Sequence, residues 1–477
     1  MKSSNQTTRR QFLSYSAAAL TAAASPTRSF AQKKKLNVVI ILVDDYGWTD
    51  AACCGSSIFE TPNIDTLASQ GMRFTNGYAA CTVCSPTRAS ILTGKYPARL
   101  HLTDWIAGHK KPWAKLKVPD FNLQLPHDEV TIAEALKPHG YKSASIGKWH
   151  LGNDDFYPQS QGFDFNVAGT HRGQPPRYFS PYNIPTLENG PEGEYLTDRM
   201  AKEAVNFIES NKDAPFFLYL PLFAVHTPIQ GKKGYTEKFK ERIQPWSDQR
   251  DPEYAAMVNS VDDAVGTVMQ TLDRLKLTDN TIVIFTGDNG GLIPKTSNAP
   301  LRMGKGSPYE GGVRVPLIVR WPGEVRAGAV TDIPAISADF FPTVMDALGV
   351  DSAVIDGIDG VNLVPVITES GTIDRDALFW HYPHYHPGGS TPYGAIRKGD
   401  WKLLEFFEDG RLELYNLKND LNEKFNLASL NIQKRDELHK QLVEWRQSVN
   451  AQMPTRNPDY KPEWANDHAG KHPDAKQ

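Results

Sequence analysis

Cysteine is scarce in this sequence, and neither one sign of charge nor any long apolar run dominates it. Its 477 residues contain 4 cysteines, too few for a fold built on disulfides. The 52 Lys and Arg against 55 Asp and Glu give a net charge of −3, which excludes the strongly basic surface that sequence-independent nucleic-acid binding requires. The longest apolar run, 216–225, contains Pro221 and is shorter than the roughly 18 residues of a membrane-spanning helix. We therefore predict neither a nucleic-acid partner nor an integral membrane segment.

The composition that remains is that of a globular protein, 40% hydrophobic and 22% charged. At roughly 150 residues per domain, the length predicts two compact units with a sizeable core. Changes of pattern along the chain divide it into four parts. We predict a signal peptide at 1–31, a main domain at 32–365, a smaller C-terminal subdomain at 366–452 and a polar tail at 453–477.

The first 31 residues have the features of an export signal. Arg9 and Arg10 precede a short, weakly apolar run rich in Ala and Ser, and small residues surround Ala31. The paired arginines favour the twin-arginine route, whose machinery would then be a partner. A general secretory signal that happens to contain two arginines is the alternative. Either signal predicts an exported protein, periplasmic or extracellular.

Four short runs rich in Val, Ile, Leu and Phe stop abruptly at polar residues. Apolar runs without alternation suit strands buried on both faces, as in a parallel sheet covered by helices. Between the runs, apolar residues at helical spacing predict helices at 131–137 and 255–275. We therefore predict an α/β fold, which binds ligands beyond the carboxyl ends of its strands. The four runs are 36–43, 143–146, 216–225 and 281–285.

Beyond about residue 366 the pattern is that of an α+β subdomain with an antiparallel sheet. Residues 401–407 and 412–417 flank an Asp-Gly turn and predict a hairpin. Residues 431–450 predict a helix with one apolar face. That face carries Leu438, Leu442, Trp445 and Val449.

Acidic residues follow two of the predicted strands. Asp44 and Asp45 follow the first, and Asp288 and Asn289 follow the last. Adjacent carboxylates repel each other unless a cation or several donors lie beside them, and such an oxygen-rich set suits Ca²⁺ or Mg²⁺. Each pair taken alone is equally typical of a turn. Two pairs at matching strand ends favour the metal site.

Cys84, Pro86 and Arg88 form a Cys-x-Pro-x-Arg motif. A cysteine beside an arginine suits an activated thiolate. In an oxidising compartment the same cysteine also suits one half of a disulfide. The motif alone leaves both interpretations open.

Together these residues resemble the type I, formylglycine-dependent, arylsulfatase-like sulfatases of the alkaline phosphatase superfamily. CSPTR at 84–88 matches the signature in which cysteine is oxidised to formylglycine, and GYKSASIGKWH at 140–150 matches the second family signature. The resemblance extends from residue 36 to about 427 and implies an alkaline-phosphatase-like sandwich with a large, mostly parallel central sheet flanked by helices. Further matches are TPNID at 61–65, FAVHTP at 223–228, TGDNGG at 286–291 and GKGSPYEGGVRVP at 304–316.

The resemblance also implies roles for individual residues. A maturation enzyme would convert Cys84 to formylglycine (3-oxoalanine), whose hydrated aldehyde attacks sulfur. One Ca²⁺ per chain would be bound by Asp44, Asp45, Asp288, Asn289 and the modified Cys84. Arg88 would stabilise the diolate, Lys148 and Lys305 would hold sulfate oxygens, His226 would protonate the leaving alcohol with Lys305 assisting, and His150 would take a proton from the second hydroxyl.

Residues 380–393, WHYPHYHPGGSTPY, are the candidate for substrate recognition. His384 and His386 offer imidazole donors for sugar hydroxyls, and Pro383 and Pro387 restrict the freedom of the loop. The interleaved prolines disfavour a second metal site among these histidines. The alternative is that the aromatic residues only join the C-terminal subdomain to the main sheet.

We therefore predict a sulfuric ester hydrolase that acts on a sulfated carbohydrate, with aryl sulfates as generic substrates. One alternative is a phosphomonoester or phosphonate-ester hydrolase of the same superfamily, which would use the same nucleophile and metal. Another is a non-catalytic, calcium-dependent glycan-binding protein whose cysteine is never matured. The presence of Arg88, Lys148, His150 and His226 together disfavours a binding protein.

Overall fold

The computed structural model describes residues 35–353 and 355–464. The predicted signal peptide at 1–31 and the last part of the predicted tail, 465–477, lie outside the described residues. Within the described part of the chain, no helix combines the length and the apolar character needed to cross a bilayer.

The strands and the α-helices are each numbered from the N-terminus. The strands are β1 (Asn37–Val43), β2 (Met72–Phe74), β3 (Gly77–Tyr78), β4 (Leu116–Lys117), β5 (Lys142–Ile146), β6 (Phe165–Val167), β7 (Phe216–Leu222), β8 (Thr281–Gly287), β9 (Leu317–Arg320), β10 (Ala329–Thr331), β11 (Ala335–Ile336), β12 (Leu378–Tyr382), β13 (Tyr393–Lys398), β14 (Trp401–Phe406), β15 (Arg411–Asn416) and β16 (Thr455–Arg456). The α-helices are α1 (Pro62–Ser69), α2 (Cys84–Thr93), α3 (Pro97–Leu100), α4 (Ile132–Leu136), α5 (Leu196–Ser210), α6 (Lys233–Arg242), α7 (Pro252–Arg274), α8 (Glu310–Val313), α9 (Phe340–Ala347), α10 (Val364–Ile367) and α11 (Ile432–Ser448).

Eight strands form the central sheet, in the order β10-β2-β9-β8-β1-β7-β5-β6. Strands β8, β1, β7, β5 and β6 are parallel, whereas β9 is antiparallel to both β8 and β2. The four predicted strands are β1, β5, β7 and β8, so the mostly parallel sheet is confirmed. Strand β7 ends at Leu222, three residues before the predicted end, because the chain then turns and Ala224 accepts a hydrogen bond from the backbone of Asp44.

The central sheet is covered on both faces, as its unalternating strands require. In β1, Val39, Ile41 and Val43 pack in one apolar cluster with helices α5 and α7. Their neighbours Val38, Ile40 and Leu42 pack in a second cluster on the opposite face, with residues of α2, α4 and α9. Successive side chains of a strand point to opposite faces, so one apolar run supplies both cores.

Capping residues set the bounds of the two predicted helices. Thr131 closes a capping box with Glu134 at the start of α4. The Asp251 side chain accepts hydrogen bonds from the backbone at the start of α7, and Pro252 occupies the first turn. Helix α7 therefore begins three residues before the predicted start at 255.

The C-terminal region contains the predicted antiparallel sheet, with strands β12 to β15 in sequence order. The predicted hairpin is β14–β15, and the predicted helix is α11. Leu438 and Leu442 of α11 pack on Leu403 and Leu414 of the sheet. The boundary at 365 stays a prediction. The first part of the predicted tail is docked, since β16 pairs with β4 of the main domain.

Candidate active site

The carboxyl ends of the central strands bring the predicted metal ligands together. Val43 at the end of β1 pairs with Gly287 of β8, so Asp44 and Asp288 leave adjacent strands side by side. The backbone N–H of Asp45 donates to Asp288 Oδ1 over 3.1 Å, and Asn289 Nδ2 donates to Asp45 Oδ1 over 2.8 Å. All four side chains are buried. The structure therefore places the four predicted ligands in one cluster.

Helix α2 presents Cys84 and Arg88 to this cluster. Cys84 is its first residue, and all ten residues of the helix are buried. Arg88 lies one turn later on the same face, where Nε and Nη2 donate to Asp288 Oδ2 over 3.0 and 2.8 Å. Its Nη1 donates to the carbonyl of Lys148 over 2.8 Å. Arg88 thus connects the helix to the ends of β5 and β8.

Two lysines pair with the acidic residues. Lys148 follows β5, and its Nζ lies 2.5 Å from Asp44 Oδ2, with both side chains fully buried. Lys305 Nζ lies 2.6 Å from Asp45 Oδ1 and retains 11% exposure. Lys305 also lines the cavity that adjoins the cluster.

Three buried oxygens in the cluster have no hydrogen-bond partner among the described residues: Asp44 Oδ1, Asp45 Oδ2 and Asn289 Oδ1. Buried polar atoms without partners are rare in folded proteins. All three belong to predicted metal ligands, and hard oxygen donors of this kind are what Ca²⁺ and Mg²⁺ prefer. The residues therefore fit a divalent cation.

The charges of the cluster are unevenly balanced. Burial and repulsion from Asp288 raise the pKa of Asp44 well above its usual value. Burial is also the largest single effect on Asp45 and Asp288, but several groups together outweigh it and hold the pKa of each carboxyl below its usual value. Lys305 and His226 contribute most at Asp45, and Arg88 and Lys148 at Asp288. A divalent cation beside Asp44 would favour its ionised form.

His150 lies between Cys84 and a backbone carbonyl. Its Nε2 is 2.5 Å from the carbonyl oxygen of Ile106, which can only accept, so Nε2 carries the proton. Nδ1, 3.3 Å from Cys84 Sγ, therefore presents a lone pair to that residue. Burial, together with Lys148, lowers the pKa of His150 well below its usual value and keeps the ring neutral.

His226 follows β7 and lies on the other side of the cluster. Its Nε2 is 3.8 Å from Asp45 Oδ2. Burial and the charge of Lys305 lower the pKa of His226 to about 3 despite the nearby carboxylate. In the substrate-free protein this imidazole is therefore neutral at pH 7.

A cavity of about 360 Å³ opens onto these residues. Its wall includes predicted site residues and residues that no sequence motif had indicated. The predicted ones are Cys84, His150, His226, Lys305 and His386. The others are Trp105, Ile106, Gly173, Gln174 and Leu292, and Pro387 of the predicted recognition segment 380–393 also lies in the wall.

The structure separates the two predicted substrate-binding histidines. The ring of His386 lies at the cavity wall and against Gly306. His384 is absent from the wall: it is buried, its Nε2 lies 2.8 Å from Thr103 Oγ1, and its ring contacts Phe121 edge to face. The prediction that His384 faces the substrate is not supported, because the loop turns this side chain into the core between the two parts of the protein.

The four cysteines differ in their surroundings. All four are free thiols. Cys53 and Cys54 are neighbours whose sulfurs are 3.9 Å apart, and Cys81 is buried three residues before Cys84. Cys84 is the one that lines the cavity.

Comparison with known proteins agrees with this geometry. The sulfatase family model matches residues 36–350, and the N-sulphoglucosamine sulphohydrolase C-terminal model matches residues 303–449. A protein named sulfatase from Formosa agariphila is 34% identical over 485 residues, covering 86% of this chain and 87% of that protein. Human N-acetylgalactosamine-6-sulfatase is 33% identical over 372 residues, covering 72% of this chain and 68% of that protein.

Among solved structures, Ps i-CgsB in complex with k-i-k-neocarrahexaose has a TM-score of 0.74 and 29% sequence identity, covering 93% of this chain and 99% of that one. The expected fold is thereby confirmed. Because the family model spans the residues of the site and the relatives align along most of the chain, this protein belongs to the sulfatase family and is a sulfatase.

Proposed function

We propose that this sulfatase removes sulfate from a sulfated carbohydrate, with Cys84 matured to formylglycine and one Ca²⁺ at the acidic cluster. The observation that carries the proposal is the convergence of Cys84 with His150, His226 and Lys305 around one cavity, beside the buried oxygens that lack a partner among the described residues. The carbohydrate is supported by the relatives, one of which is named for a sulfated sugar and another of which is bound to a neocarrahexaose.

Asp44, Asp45, Asp288 and Asn289 would hold the Ca²⁺, which would neutralise their charge and polarise a sulfate oxygen. Matured Cys84 would supply an oxygen nucleophile through the hydrate of its aldehyde. The remaining steps belong to side chains that the structure describes.

Lys305 is the cation best placed to contact the substrate. It lines the cavity, and although burial opposes its charge, Asp45 keeps its pKa above the usual value, so it stays protonated at neutral pH. Its ammonium group can therefore stabilise charge on the sulfate oxygens. Lys148 is fully buried against Asp44 and is not part of the cavity wall, so in the substrate-free protein it balances that carboxylate.

The two histidines suit proton transfer in opposite directions. His150 presents the Nδ1 lone pair to residue 84, as a base that removes a proton there must. His226 is neutral before substrate binds. A sulfate ester beside Lys305 would bring negative charge that offsets this lysine, raise the pKa of His226 and allow it to protonate the leaving alcohol.

Maturation can be tested on Cys84 with Cys81 as a matched control, since both are buried and they lie three residues apart. Protein produced with a maturation enzyme should yield a Cys84 peptide with the mass of formylglycine. Cys84→Ala should abolish sulfatase activity, whereas Cys81→Ala should retain it. Full activity of a preparation in which Cys84 remains an unmodified thiol would contradict the proposal.

The substrate class can be tested by comparing the sulfate and phosphate esters of the same alcohol. We expect kcat/KM for a sugar sulfate to exceed that for the matching sugar phosphate. The reverse order would favour the phosphomonoester or phosphonate-ester alternative. Tight sugar binding with no turnover after verified maturation would favour the glycan-binding alternative.

Export is proposed from the sequence alone, because 1–31 lie outside the described residues. Replacement of Arg9 and Arg10 by lysine should keep the protein in the cytoplasm, as cell fractionation would show. If export follows folding, Cys84 must mature in the cytoplasm. Unchanged export of the variant would indicate the general secretory route.

A further inference from the structure

Asp50 is a buried carboxylate that no step of the proposed reaction uses. It ends the turn that begins with Asp44 and Asp45, and its side chain is fully buried. No cation lies within ion-pair distance of it among the described residues. Its four hydrogen bonds all come from neutral donors.

These donors come from different parts of the chain. Oδ2 accepts from the Gly47 backbone over 2.8 Å and from the Tyr254 hydroxyl over 2.5 Å. Oδ1 accepts from Thr296 Oγ1 over 2.7 Å and from Gln249 Nε2 over 3.0 Å. One carboxylate thus joins the turn after β1, helix α7 and the loop after β8.

The first connection acts on the ligand Asp45. The Gly47 hydrogen bond closes the turn, and the Tyr254 hydroxyl also lies 3.1 Å from the carbonyl oxygen of Asp45. Asp45 has a positive φ of 59°, a conformation that non-glycine residues adopt only where the surroundings hold them. Asp50 contributes to those surroundings through its hydrogen bonds with Gly47 and Tyr254.

The second connection acts on the loop that carries the other ligands and Lys305. Thr296 belongs to this loop, and two residues later Asn298 makes two hydrogen bonds of 3.0 Å with the backbone of Gly291. The Gly291 carbonyl in turn accepts from the backbone of Lys305. The loop from Asp288 to Lys305 is therefore tied to the turn of Asp44 and Asp45 through Asp50.

We propose that Asp50 is a positioning residue that holds the two ligand-bearing loops in register, so that Asp44, Asp45, Asp288 and Asn289 form one Ca²⁺ site. The inference rests on the proposed function only in taking Ca²⁺ as the bound metal. Asparagine cannot reproduce all four hydrogen bonds in either orientation of its amide. Its NH₂ would face the Gly47 N–H in the place of Oδ2, or Gln249 Nε2 in the place of Oδ1, and the Gln249 amide is held in its orientation by the Thr49 carbonyl and the Ser56 hydroxyl.

The test is calcium binding by matured, chelator-treated protein, measured by titration calorimetry. Residues that orient metal ligands through hydrogen bonds typically contribute about 10- to 100-fold to metal affinity. We therefore expect Asp50→Asn to raise the calcium Kd by at least about 10-fold. Thr296→Val removes a single hydroxyl and should raise it by about 2- to 10-fold. Thr296→Val also keeps the test decisive if Asp50→Asn does not fold.

Asp262→Asn is the matched control. Asp262 is also a buried carboxylate with neutral donors, but it accepts from the backbone of Asn63 and Ile64 and touches neither ligand-bearing loop. The Asp262→Asn variant should have a lower melting temperature in the calcium-free state and an unchanged calcium Kd. A purely structural Asp50 would behave in the same way.

The outcomes separate the two proposals. If the wild-type protein binds no calcium, the metal assignment fails and the inference fails with it. If the wild type binds calcium and the Asp50 and Thr296 variants bind it equally well, the inference alone is wrong. A raised Kd in both variants and an unchanged Kd in Asp262→Asn supports it.

Discussion

Lys402 is a buried cation between two carboxylates, and its replacement by methionine tests how the C-terminal sheet is held against the main domain. Its Nζ lies 2.9 Å from Glu310 Oε1 and 3.0 Å from Glu423 Oε1, and none of the three side chains is exposed. Glu310 begins helix α8, five residues after Lys305. The ion pairs therefore connect strand β14 to the segment that carries Lys305, which lines the cavity.

The two carboxylates depend on Lys402 to different extents. Glu310 also accepts from the Tyr78 hydroxyl over 2.7 Å, and although burial opposes its ionisation, Lys402 and Arg314 hold its pKa at about 2. Burial raises the pKa of Glu423 to about 7 against the attraction of Lys402. Removal of one partner from a buried ion pair costs about 3–5 kcal/mol. We expect a loss of this size for Lys402→Met at pH 8, where Glu423 is ionised in the wild type.

The loss should be smaller at pH 5.5. A carboxyl group whose pKa is higher in the folded than in the unfolded protein stabilises the fold at pH values below the unfolded-state pKa, here 4.5. This stabilisation is lost as the pH rises through the folded-state pKa. At pH 5.5 Glu423 carries a proton with or without Lys402, so the neutral group needs no cation. At pH 8, each further unit by which the substitution raises the pKa of Glu423 adds up to about 1.4 kcal/mol to the loss.

Urea unfolding of Lys402→Met, Glu423→Gln and the double variant at both pH values measures these effects. The double variant should recover most of the loss at pH 8, because an amide leaves no unpaired charge. Lys398→Met is the control, since Lys398 pairs with the exposed Asp376 and should contribute at most about 1 kcal/mol. An unchanged urea midpoint for Lys402→Met at pH 8, or a double variant less stable than Lys402→Met, would contradict the assignment.

Four further substitutions test the site itself. Asp288→Ala should lower the calcium content of the purified protein below one per chain by elemental analysis, and full content would remove Asp288 from the ligand set. His226→Ala should slow hydrolysis of a sugar sulfate by about 10²- to 10⁴-fold but that of nitrophenyl sulfate far less, because the better leaving group needs no acid; equal losses would indicate a binding role. His386→Ala should lower kcat/KM for the sugar sulfate at unchanged melting temperature. His384→Ala should instead lower the melting temperature. The opposite pattern would indicate that His384, and not His386, contacts the substrate.

The sequence was sufficient for four of the eight strands of the central sheet, β1, β5, β7 and β8, and for the acidic residues at their ends. Strands buried on both faces leave an unalternating apolar run, and the carboxyl ends of parallel strands meet at one edge. Asp44 and Asp288 were therefore expected at the same edge of the sheet, and the structure adds that β1 and β8 are adjacent. The CSPTR motif indicated Cys84 and Arg88, but the helix that places them on a common face was not predicted from the sequence.

Several residues that line the cavity could not be predicted from the sequence. Trp105 and Ile106 lie in an irregular segment without periodicity, and what positions them is distant in sequence. Asp104 accepts from the Tyr382 hydroxyl over 2.7 Å, a contact between residues 278 positions apart. Asp50 carried no sequence signal for a similar reason, because a polar residue at the end of a turn is common and only its donors distinguish it.

The histidine-rich loop shows what composition alone leaves undecided. Each interpretation of 380–393 describes part of the segment, since residues along it face different surroundings. Tyr382 and His384 make hydrogen bonds with the segment at 103–104, and His386 lines the cavity. The carbonyl of Ile106, two residues beyond Asp104, is what fixes the proton of His150 on Nε2. The C-terminal sheet therefore affects the geometry around Cys84 mainly through the loop that it supports, although most of its own side chains lie outside the cavity.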